Sequence, residues 1–475
     1  MGSAVNRITV VGLARSGAGA ARLLAEMGGS DVTVTDSRKA EDLADMLSIL
    51  PASVKRCLGS HPEEIFSDAD LIVVSPGVPL TIKPLADAKK KGKRIIGELE
   101  LAYQIIEGRM TEEKAIPFLA VTGSNGKSTT TTLLNVMMKK AGFRTMFGGN
   151  IGNALTEEIM KMDGEQMVPD VVVAEISSFQ LEAIETFRPH IAAILNITPD
   201  HLDRYHSMEE YRDAKAAIFR NQHEPDILIL NADDPETMRL YEAELRERVR
   251  GPHVYFFSRE REVEGLYEKD GMVIVNLPHH EQGAVNLELI RAAEIRIKGV
   301  HNLENAMAAS AMALLAGCPV EAVRDSLRGF PGLEHRLELV RELDGVTYIN
   351  DSKGTNVGAV IKSIESFSEP LILIAGGRDK AGDFSALKDL AAQKVKEVVL
   401  IGEAAEKIAH ALGETVKTVM AKDLKEAVQI SRDAAKEGDV VLLSPACASF
   451  DMFRDFEDRG RQFKTIVSQL EAVHA

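Results

Sequence analysis

Residues 118–130 read FLAVTGSNGKSTT, and this stretch decides the fold of the centre of the chain. It predicts a buried strand that turns through Gly123 and Gly126 into a helix at Ser128. Glycine lets backbone N–H groups approach phosphate oxygens, and a helix N-terminus adds the positive end of its dipole. Lys127 would contact the β- and γ-phosphates of a nucleotide, and the Ser128 hydroxyl would hold Mg²⁺. The stretch therefore predicts a phosphate loop.

The predicted loop departs from the usual phosphate-loop pattern in one respect. The usual pattern has two more residues between its glycines, and Val121 stands where its first glycine would be. The alternative is a strand–glycine–helix turn of an α/β protein that binds no ligand. The Gly126-Lys127-Ser128 ending in this local context favours phosphate binding.

The composition of the whole chain narrows the class of protein. Its 475 residues suggest two to four domains. The net charge of −16 argues against a nucleic-acid partner. Cys57, Cys318 and Cys447 are far apart and odd in number, which fits a reducing compartment. No signal peptide and no apolar run of about 20 residues is evident. We therefore expect a cytoplasmic protein with no membrane span.

The first block of the chain resembles the opening of a dinucleotide-type βαβ unit. Strands are predicted at 7–11 and 32–35, on either side of a glycine-containing turn and a helix, and the second ends at Asp36. An acidic residue at this position commonly binds a ribose hydroxyl. The glycine spacing is not G-x-G-x-x-G, so another nucleotide-like ligand is favoured over NAD. Residues 75–77 follow a strand at 71–74, at the sheet edge where ligands bind.

Two carboxyl-terminal strand ends in the second block carry candidate metal ligands. The apolar run at 171–174 predicts a strand buried on both faces that ends at Glu175. A carboxylate there would face Mg²⁺, as in other phosphate-loop enzymes, or form a structural ion pair. After the strand predicted at 191–195, His201 lies between Asp200 and Asp203. We expect His201 to bind a metal or the substrate, although a lone histidine is often structural.

A helix beginning near Ser207 places one lysine on its apolar face. At 100° per residue, Met208, Tyr211, Ile218 and Phe219 form one stripe, and Lys215 falls within it. A lysine that points inward must be paired, neutral or chemically changed, or must extend its ammonium to solvent. The last of these is the default expectation, and a role in the site is the alternative.

The rest of the chain predicts a β-rich stretch and a third parallel sheet. Residues 254–298 predict a β-rich insertion with a hairpin turn at Asp270-Gly271, followed by a helix at 301–310. Four strands with polar or glycine-containing turns at their carboxyl ends predict the third sheet. These strands are expected at 346–349, 371–374, 398–401 and 440–443.

The predicted fold is therefore α/β with three domains. A Rossmann-like domain spans 1–112, a phosphate-loop ATPase-like domain 113–332, and a second Rossmann-like domain 333–475; a charged stretch at 107–114 is a plausible linker. Two further ligand-binding folds beside a phosphate loop suggest a ligase that activates one substrate with ATP and joins it to another. A nicotinamide oxidoreductase and a regulatory ATP-binding protein are the alternatives from other classes.

Several motifs resemble those of the Mur ligases and folylpolyglutamate synthases. The shortened loop TGSNGKST (122–129), NITPDHLD (196–203), His301-Asn302 with Asn305, and Glu334-His335-Arg336 all match that family. Three further stretches resemble the Mur ligases that add D-glutamate. They are GLARSG (12–17), NDSKGTN (350–356) and SPACASFDMFRDF (444–456). The resemblance covers essentially the whole chain and is weakest near residues 240–298.

The resemblance implies a specific activity. An ATP-dependent ligase of this kind adds D-glutamate to UDP-N-acetylmuramoyl-L-alanine through an acyl phosphate, in the cytoplasmic stage of peptidoglycan synthesis. It implies two Mg²⁺ ions, a carbamylated lysine at Lys215 and a protein that we expect to be a monomer. A folate-polyglutamating ligase is the nearest alternative, but it would lack the UDP-binding first block.

The resemblance also implies roles for individual residues. Lys127, Glu175, His201 and Lys215 are the implied catalytic residues, and the implied Mg²⁺ ligands are Ser128, Glu175, His201 and carbamylated Lys215. The implied ATP contacts are Gly123, Ser124, Asn125, Gly126, Lys127, Ser128, Thr129, Asn305, Arg336, Asp351 and Lys353. Those to the UDP-substrate are Leu13, Ala14, Asp36, Ser37, Arg38, Ser75, Gly77, Asn150 and His201, with Ala14 in place of a more common hydroxyl residue. Those to D-glutamate are Thr355, Lys380, Ser449 and Phe456.

Overall fold

The computed structural model describes residues 6–110, 115–201, 204–277, 284–380 and 382–472. These residues form three sheets, of five, nine and six strands. Most neighbouring strands are parallel and alternate with helices along the chain, so the predicted three-domain α/β fold is confirmed. Within the described ranges, no helix is long and apolar enough to cross a membrane.

The N-terminal sheet is entirely parallel. Its strands are β1 (Arg7–Val11), β2 (Asp31–Asp36), β3 (Lys55–Leu58), β4 (Leu71–Val74) and β5 (Arg94–Gly97), and its helices are α1 (Arg15–Met27), α2 (Ala44–Ser48), α3 (Glu63–Ser67), α4 (Lys83–Lys90) and α5 (Glu98–Glu107). The strand order is β3-β2-β1-β4-β5. Val11 is level with Thr35 of β2 and with Val74 of β4, so these strands end at one edge of the sheet. The predicted ligand-binding turns therefore share that edge.

The central sheet has the strand order β14-β13-β12-β11-β10-β9-β6-β8-β7. Its strands, in chain order, are β6 (Phe118–Thr122), β7 (Thr145–Gly149), β8 (Val171–Glu175), β9 (Ile191–Ile194), β10 (Ile227–Asn231), β11 (His253–Ser258), β12 (Gly265–Lys269), β13 (Met272–Leu277) and β14 (Ala284–Arg291). The helices of this part are α6 (Lys127–Lys140), α7 (Leu155–Gly164), α8 (Ser178–Leu181), α9 (Met208–Ala216), α10 (Pro235–Leu240), α11 (Val300–Leu315) and α12 (Val320–Gly329). The buried strand β6 lies between β8 and β9 and leads directly into the predicted phosphate loop.

The predicted β-rich insertion is part of the central sheet. Strand β11 pairs in parallel with β10, and β12 pairs in parallel with β11. The predicted hairpin is confirmed, because β12 and β13 are antiparallel and Asp270-Gly271 connects them. The predicted β-rich character of this stretch is confirmed by β11 to β14, which extend one edge of the central sheet. Residues 278–283 of this stretch lie outside the described ranges.

The C-terminal sheet contains the four predicted strands and two more. Its strands are β15 (Glu338–Leu343), β16 (Val346–Asn350), β17 (Leu371–Gly376), β18 (Val395–Ile401), β19 (Lys417–Met420) and β20 (Val440–Leu443), and its helices are α13 (Val357–Glu365), α14 (Lys388–Lys394), α15 (Ala405–Leu412), α16 (Leu424–Ala434) and α17 (Phe456–Ser468). The order is β15-β16-β20-β17-β18-β19, with β15 antiparallel to β16 and the other pairs parallel. Apolar clusters lie on both faces of this sheet.

The chain forms two compact units. The first comprises Met1–Ile197, Glu209–Ile290 and Ala306–Ser326, and the second comprises Thr198–Met208, Arg291–Asn305 and Leu327–Ala475. The N-terminal sheet and most of the central sheet therefore belong to one unit. The predicted domain boundaries at 112/113 and 332/333 stay predictions, and the first lies outside the described residues.

Two buried glutamates at the start of α5 attach the N-terminal sheet to the central one. Oε1 of Glu98 accepts hydrogen bonds from the backbone N–H and the hydroxyl of Thr156 in the first turn of α7, both at 2.8 Å. Glu100 accepts backbone N–H groups of residues 185, 186 and 187, each at 2.9 Å. Burial dominates at Glu98 and raises its pKa to about 6. Burial also acts on Glu100, but its hydrogen bonds outweigh it and lower the pKa of that carboxyl.

Replacing Glu98 with glutamine should change how stability depends on pH. Because folding raises this pKa from 4.5 to about 6, the wild-type protein loses about 2 kcal/mol of stability as pH rises through that window. Glutamine keeps an acceptor for Thr156 and does not ionise. The unfolding free energy of Glu98→Gln, relative to wild type, should therefore rise by about 2 kcal/mol from pH 4 to pH 8 in urea melts.

Glu100→Gln is the matched control, two residues along the same helix. Folding lowers the pKa of Glu100, so the ionised carboxylate stabilises the native state above its unfolded pKa. The relative stability of Glu100→Gln should fall as pH rises over the same range. If the relative unfolding free energies of the two variants changed with pH in the same direction, the opposite pKa shifts of Glu98 and Glu100 would be contradicted.

Candidate active site

The phosphate loop connects β6 to α6 and is braced by the end of β9. Gly126 precedes the helix with φ +84°, and Gly123 has φ +150°, a conformation in which a Cβ would lie 3.1 Å from Cβ of Leu195. Asn196 supports the loop twice, because its carbonyl accepts N–H of Ser124 at 2.9 Å and its side chain accepts N–H of Asn125 at 2.8 Å. The loop therefore needs glycine where it turns and Asn196 beneath it. Asn196 was quoted in a motif but not predicted as a site residue.

Lys127 and Lys215 meet at one backbone carbonyl of the loop. Nζ of Lys127 donates to the carbonyl oxygens of Gly123, at 2.8 Å, and Ser124, at 2.9 Å. Nζ of Lys215 donates to the same Gly123 oxygen at 2.8 Å. Two ammonium groups beside a loop that leads into a helix N-terminus create a positive potential that favours anion binding.

Lys215 is buried, as its place on the apolar stripe predicts. Its exposed fraction is 1%, and that of Tyr211 is also 1%. The ammonium lies 4.5 Å from the centroid of the Tyr211 ring, whose hydroxyl is 3.1 Å from the hydroxyl of Ser124. The default expectation, that the ammonium extends to solvent, was wrong because the stripe packs beneath the phosphate loop. The structure thus brings Lys215, Lys127 and the loop together.

Glu175 ends β8 beside the phosphate loop and has one carboxylate oxygen without a partner. It pairs with Val121 of β6 in the sheet, and 2% of the residue is exposed. Oε1 accepts the side-chain amide of Asn150 at 2.7 Å, whereas Oε2 has no hydrogen-bond partner among the described residues. No ion pair to Glu175 occurs in the described ranges, so the structural ion-pair alternative is not favoured. An orphaned buried carboxylate oxygen is costly unless a cation binds it.

The donor set beside the loop fits Mg²⁺ bound together with phosphate. Ser128 lies in the first turn of α6 and is buried. Strands β6 and β8 are neighbouring and parallel, so their ends lie at the same sheet edge. Among the described residues there is no group of three or more His, Cys, Asp or Glu that could form an all-protein metal site. Mg²⁺ characteristically binds one or two protein oxygens and takes its other ligands from phosphate and water. Ser128 and Glu175 suit that role.

His201 belongs to the second compact unit. Its backbone has φ +54°, and its N–H donates to Oδ1 of Asp200 at 3.0 Å. Nε2 of His201 lies 3.7 Å from Oδ2 of Asp200, which also accepts the side-chain amide of Asn356 at 3.3 Å. Asp203, the second aspartate of the motif, lies outside the described residues. The meeting of His201 with Lys127 and Lys215 stays a prediction.

Asp36 organises the predicted nucleotide-binding turn of the N-terminal sheet. Its Oδ2 accepts N–H of Leu13 at 2.7 Å, and its carboxylate also accepts the backbone N–H and guanidinium of Arg38. Burial opposes ionisation of Asp36, but these hydrogen bonds outweigh it and lower the pKa to about 2. The buried Ser75 hydroxyl, also at this edge, has no hydrogen-bond partner in the described part of the chain. Ser37 and Gly77 are exposed beside them.

Ala14 leaves the N-terminus of α1 without a side-chain cap. It has the extended backbone of an N-cap residue, and its carbonyl accepts N–H of Ala18 at 2.9 Å. Serine at an N-cap stabilises a helix by about 1 kcal/mol relative to alanine. We expect Ala14→Ser to raise the unfolding free energy by about that amount in denaturant melts. Ala25→Ser, inside the same helix, should lower it slightly; equal effects of the two variants would contradict the capping argument.

The residues of the second unit that are predicted to contact ATP or D-glutamate differ in their exposure to solvent. Nζ of Lys353 lies 3.6 Å above the ring of Phe456, so the structure joins these two predicted residues. Ser449 is buried, whereas Lys380 is exposed. Thr355 donates its N–H to the carbonyl of Lys353 at 2.8 Å. Lys353, Thr355, Lys380 and Ser449 lie on loops after β16, β17 and β20, which are neighbours in the C-terminal sheet, and Phe456 begins α17.

Asp351 and Asn305 are buried in hydrogen-bond networks. Oδ2 of Asp351 accepts the hydroxyls of Ser363 and Ser444, both at 2.7 Å. Burial raises the pKa of Asp351 to about 6, although these hydroxyls and the charge of Arg336 oppose the rise. Asn305 donates to the side-chain oxygen of Asn302 at 3.2 Å. In this structure, Asp351 holds its loop in place.

Arg459 is a buried cation that the sequence analysis missed. It is 0% exposed, and its guanidinium donates to the hydroxyl and carbonyl of Ser352, each at 2.9 Å, and to the carbonyl of Cys447 at 3.3 Å. Burial lowers its pKa to about 10. It thereby ties the loop after β16 to the loop after β20. Its spacing with Phe463 and Val467, four residues apart on α17, was the available signal.

The fold and site together define a phosphate-loop protein with two further open parallel sheets. Three family models match the chain: "Mur ligase MurD-like, N-terminal domain" over residues 6–97, "Mur ligase middle domain" over 121–313 and "Mur ligase, glutamate ligase domain" over 335–447. The chain belongs to the Mur ligase family.

Curated relatives match almost the full length. A UDP-N-acetylmuramoylalanine--D-glutamate ligase of Citrifermentans bemidjiense is 46% identical over 97% of each chain. One of Geobacter metallireducens is 46% identical over 98% of this chain and 97% of its own. Among solved structures, the MurF ligase of Thermotoga maritima in complex with ADP has a TM-score of 0.61 at 17% identity and covers 98% of each chain. That structural likeness supports the fold alone.

Proposed function

We propose that the chain is an ATP-dependent ligase that joins D-glutamate to UDP-N-acetylmuramoyl-L-alanine in peptidoglycan synthesis. Full-length relatives at 46% identity carry that activity in their name. The structural observation that carries the proposal is the unpartnered buried Oε2 of Glu175 beside a phosphate loop that the Lys127 ammonium contacts. This arrangement suits a metal-bound nucleoside triphosphate.

The first half-reaction forms an acyl phosphate. An oxygen of the substrate's terminal carboxylate attacks the γ-phosphorus of ATP, and ADP leaves. A free carboxylate is a poor acyl donor, and phosphorylation supplies a leaving group. The loop residues 123–129 hold the phosphates with their N–H groups, and Lys127 neutralises charge between the β- and γ-phosphates. The protein's contribution is chiefly positioning and charge stabilisation.

We assign the metal ligands as follows. Ser128 and Glu175 would hold one Mg²⁺, and His201 and Lys215, the latter as its carbamate, would hold a second. When bound, Mg²⁺ neutralises phosphate charge in the transition state. The carbamate would form when the Lys215 ammonium loses a proton and the neutral amine adds CO₂ with loss of a second proton, so that an anion replaces a cation. The burial of Lys215 at the Gly123 carbonyl supports a role in the site.

The second half-reaction forms the amide bond. The amine of D-glutamate attacks the acyl-phosphate carbonyl, and phosphate leaves from the tetrahedral intermediate. We assign the D-glutamate contacts to Thr355, Lys380, Ser449 and Phe456. Asn305, Arg336, Asp351 and Lys353 are assigned to ATP, with Asp351 acting by holding its loop.

The UDP-bearing end of the substrate is assigned to the N-terminal sheet. Asp36 fixes Arg38 and the backbone of Leu13 at the sheet edge, which supports this assignment. The buried Ser75 hydroxyl at this edge has no partner among the described residues, and a ligand would supply one. The further contacts assigned to this substrate are Ala14, Ser37, Gly77 and His201; the resemblance adds Asn150, whose side chain contacts Glu175 in the structure.

We further propose that the domains span 1–112, 113–332 and 333–475. We also propose that the protein is cytoplasmic and monomeric. Consumption of ATP and a nucleotide-linked substrate supports the location. Light scattering coupled to size exclusion tests the monomer.

A substrate-omission assay tests the activity. ATP, UDP-N-acetylmuramoyl-L-alanine and D-glutamate are mixed with the protein, and phosphate release and amide product are measured with each component omitted in turn. We expect product only with all three, and little with L-glutamate in place of D-glutamate. Turnover that is indifferent to D-glutamate would reject the assignment. Turnover with a folate and glutamate would favour the folate-polyglutamating alternative.

A further inference from the structure

The loop after β7 contacts Glu175 at two points. The side-chain amide of Asn150 donates to Oε1 of Glu175 at 2.7 Å, and the backbone N–H of Asn150 donates to the Glu175 carbonyl at 2.8 Å. One residue therefore fixes both the strand end and the carboxylate of Glu175. The other carboxylate oxygen, Oε2, is the buried one that has no partner in the described residues.

The backbone of this loop is shaped to approach the end of β8. Gly149 has φ +106°, and a Cβ there would collide with the carbonyl oxygen of Glu175. A Cβ at Gly148 would lie 2.6 Å from the carbonyl oxygen of Asn153 in the same loop. On the other side, the guanidinium of Arg15 donates to the carbonyl of Gly152. The loop is thus held from both sides, and Asn150 has little freedom to leave Glu175.

We propose that Asn150 is a positioning residue for Glu175, because its amide occupies Oε1 and presents Oε2 to the Mg²⁺ that accompanies ATP. The inference rests on the proposed function for the identity of that metal complex. It differs from the role that the sequence resemblance gives Asn150, a contact to the sugar of the UDP-substrate. The two roles predict different effects when the side chain is removed.

A hydrogen bond to one carboxylate oxygen fixes the orientation of the group, so the other oxygen would bind a metal from a fixed position. Without the amide of Asn150, the buried carboxylate of Glu175 would rotate among its χ3 positions and would have two oxygens without partners. Partners that orient metal ligands in this way contribute about 10- to 100-fold to metal affinity. Asn150 is an exposed residue and keeps its backbone hydrogen bond to Glu175 when its side chain is truncated, so the variant should fold.

The experiment compares Asn150→Ala with Asn153→Ala. Asn153 is an exposed asparagine of the same loop, and its amide donates to Oε1 of Glu158 at 2.6 Å instead of to Glu175. Mn²⁺ binding to the full chain is measured by electron paramagnetic resonance in the presence of a non-hydrolysable ATP analogue. The Mg²⁺ dependence of turnover and the KM for UDP-N-acetylmuramoyl-L-alanine are measured in parallel, and thermal melts verify folding.

We expect Asn150→Ala to weaken Mn²⁺ binding, and to raise the Mg²⁺ concentration for half-maximal turnover, by about 10- to 100-fold. The KM for the UDP-substrate should stay close to that of Asn153→Ala and wild type. Unchanged Mn²⁺ affinity would overturn the inference, and a raised KM alone would favour the sugar contact instead. The Mn²⁺ measurement needs no D-glutamate, so its failure is distinct from failure of the proposed ligase activity.

Discussion

Replacing Lys215 with alanine is expected to reduce ligase turnover by about 10³-fold, the scale of losing a preorganised charged group at a reacting centre. The Lys215 side chain is buried, and its nitrogen donates to the carbonyl oxygen of Gly123 in the phosphate loop. If Lys215 acts as its carbamate, short carboxylic acids should enter the vacated space and restore part of the activity. Steady-state phosphate release with and without such acids measures both effects.

Lys140→Ala is a suitable control for this prediction. Lys140 is an exposed lysine that pairs with Asp325 at 3.2 Å, and surface pairs of this kind contribute little. The control should keep wild-type turnover and show no response to added acids. Full activity of Lys215→Ala would remove this residue from the mechanism. Inactivity without rescue would leave the carbamate unsupported and favour a role for the amine itself.

Replacing Lys127 with alanine is expected to lower kcat/KM by about 10³-fold or more, as for other cations that neutralise a transferring phosphoryl group. In the structure its ammonium lies on the carbonyls of Gly123 and Ser124, within the loop that would receive the phosphates. Phosphate binding would replace those carbonyls as its partners. Lys139→Ala, at the other end of the same helix and exposed, is the control and should be unaffected.

ATP binding separates the catalytic role of Lys127 from a structural one. The ATP dissociation constant, measured by calorimetry, should change less than kcat, because the loop N–H groups and the helix N-terminus remain. A rise in the ATP dissociation constant that accounts for the whole loss of kcat/KM, with kcat unchanged, would indicate that Lys127 contributes uniform binding only. Wild-type kcat/KM in Lys127→Ala would contradict the phosphate-loop assignment.

Strands that are buried on both faces could be predicted from the sequence, because their residues form short apolar runs. The strands β1, β4, β6, β8 and β9 are short apolar runs, and all were expected. By contrast, β3 reads KRCL and β19 reads KTVM, and both are edge strands with polar, partly exposed residues. Edge strands bury one face at most, so their sequences lack a distinctive period. Strand β10 reads ILILN and gave a signal that was overlooked.

Lys215 and Arg459 both lie on the apolar stripe of a helix, and the stripe predicts a buried charge at each position. Each is a charged residue on an apolar face, and each is buried with its charge on backbone carbonyls. The apolar stripe does not indicate which group pairs with the buried charge, because that partner is set by tertiary packing. Glu98 shows this plainly, since its partner Thr156 is 58 residues away and belongs to the central part of the chain.

The most direct test of the proposed chemistry follows one oxygen atom. UDP-N-acetylmuramoyl-L-alanine labelled with ¹⁸O in its terminal carboxylate is converted with ATP and D-glutamate, and the released phosphate is analysed by mass spectrometry. An acyl phosphate transfers one carboxylate oxygen to phosphate, so each phosphate should carry one ¹⁸O. Phosphate without label would mean that water attacks ATP, and it would contradict activation of the substrate carboxylate.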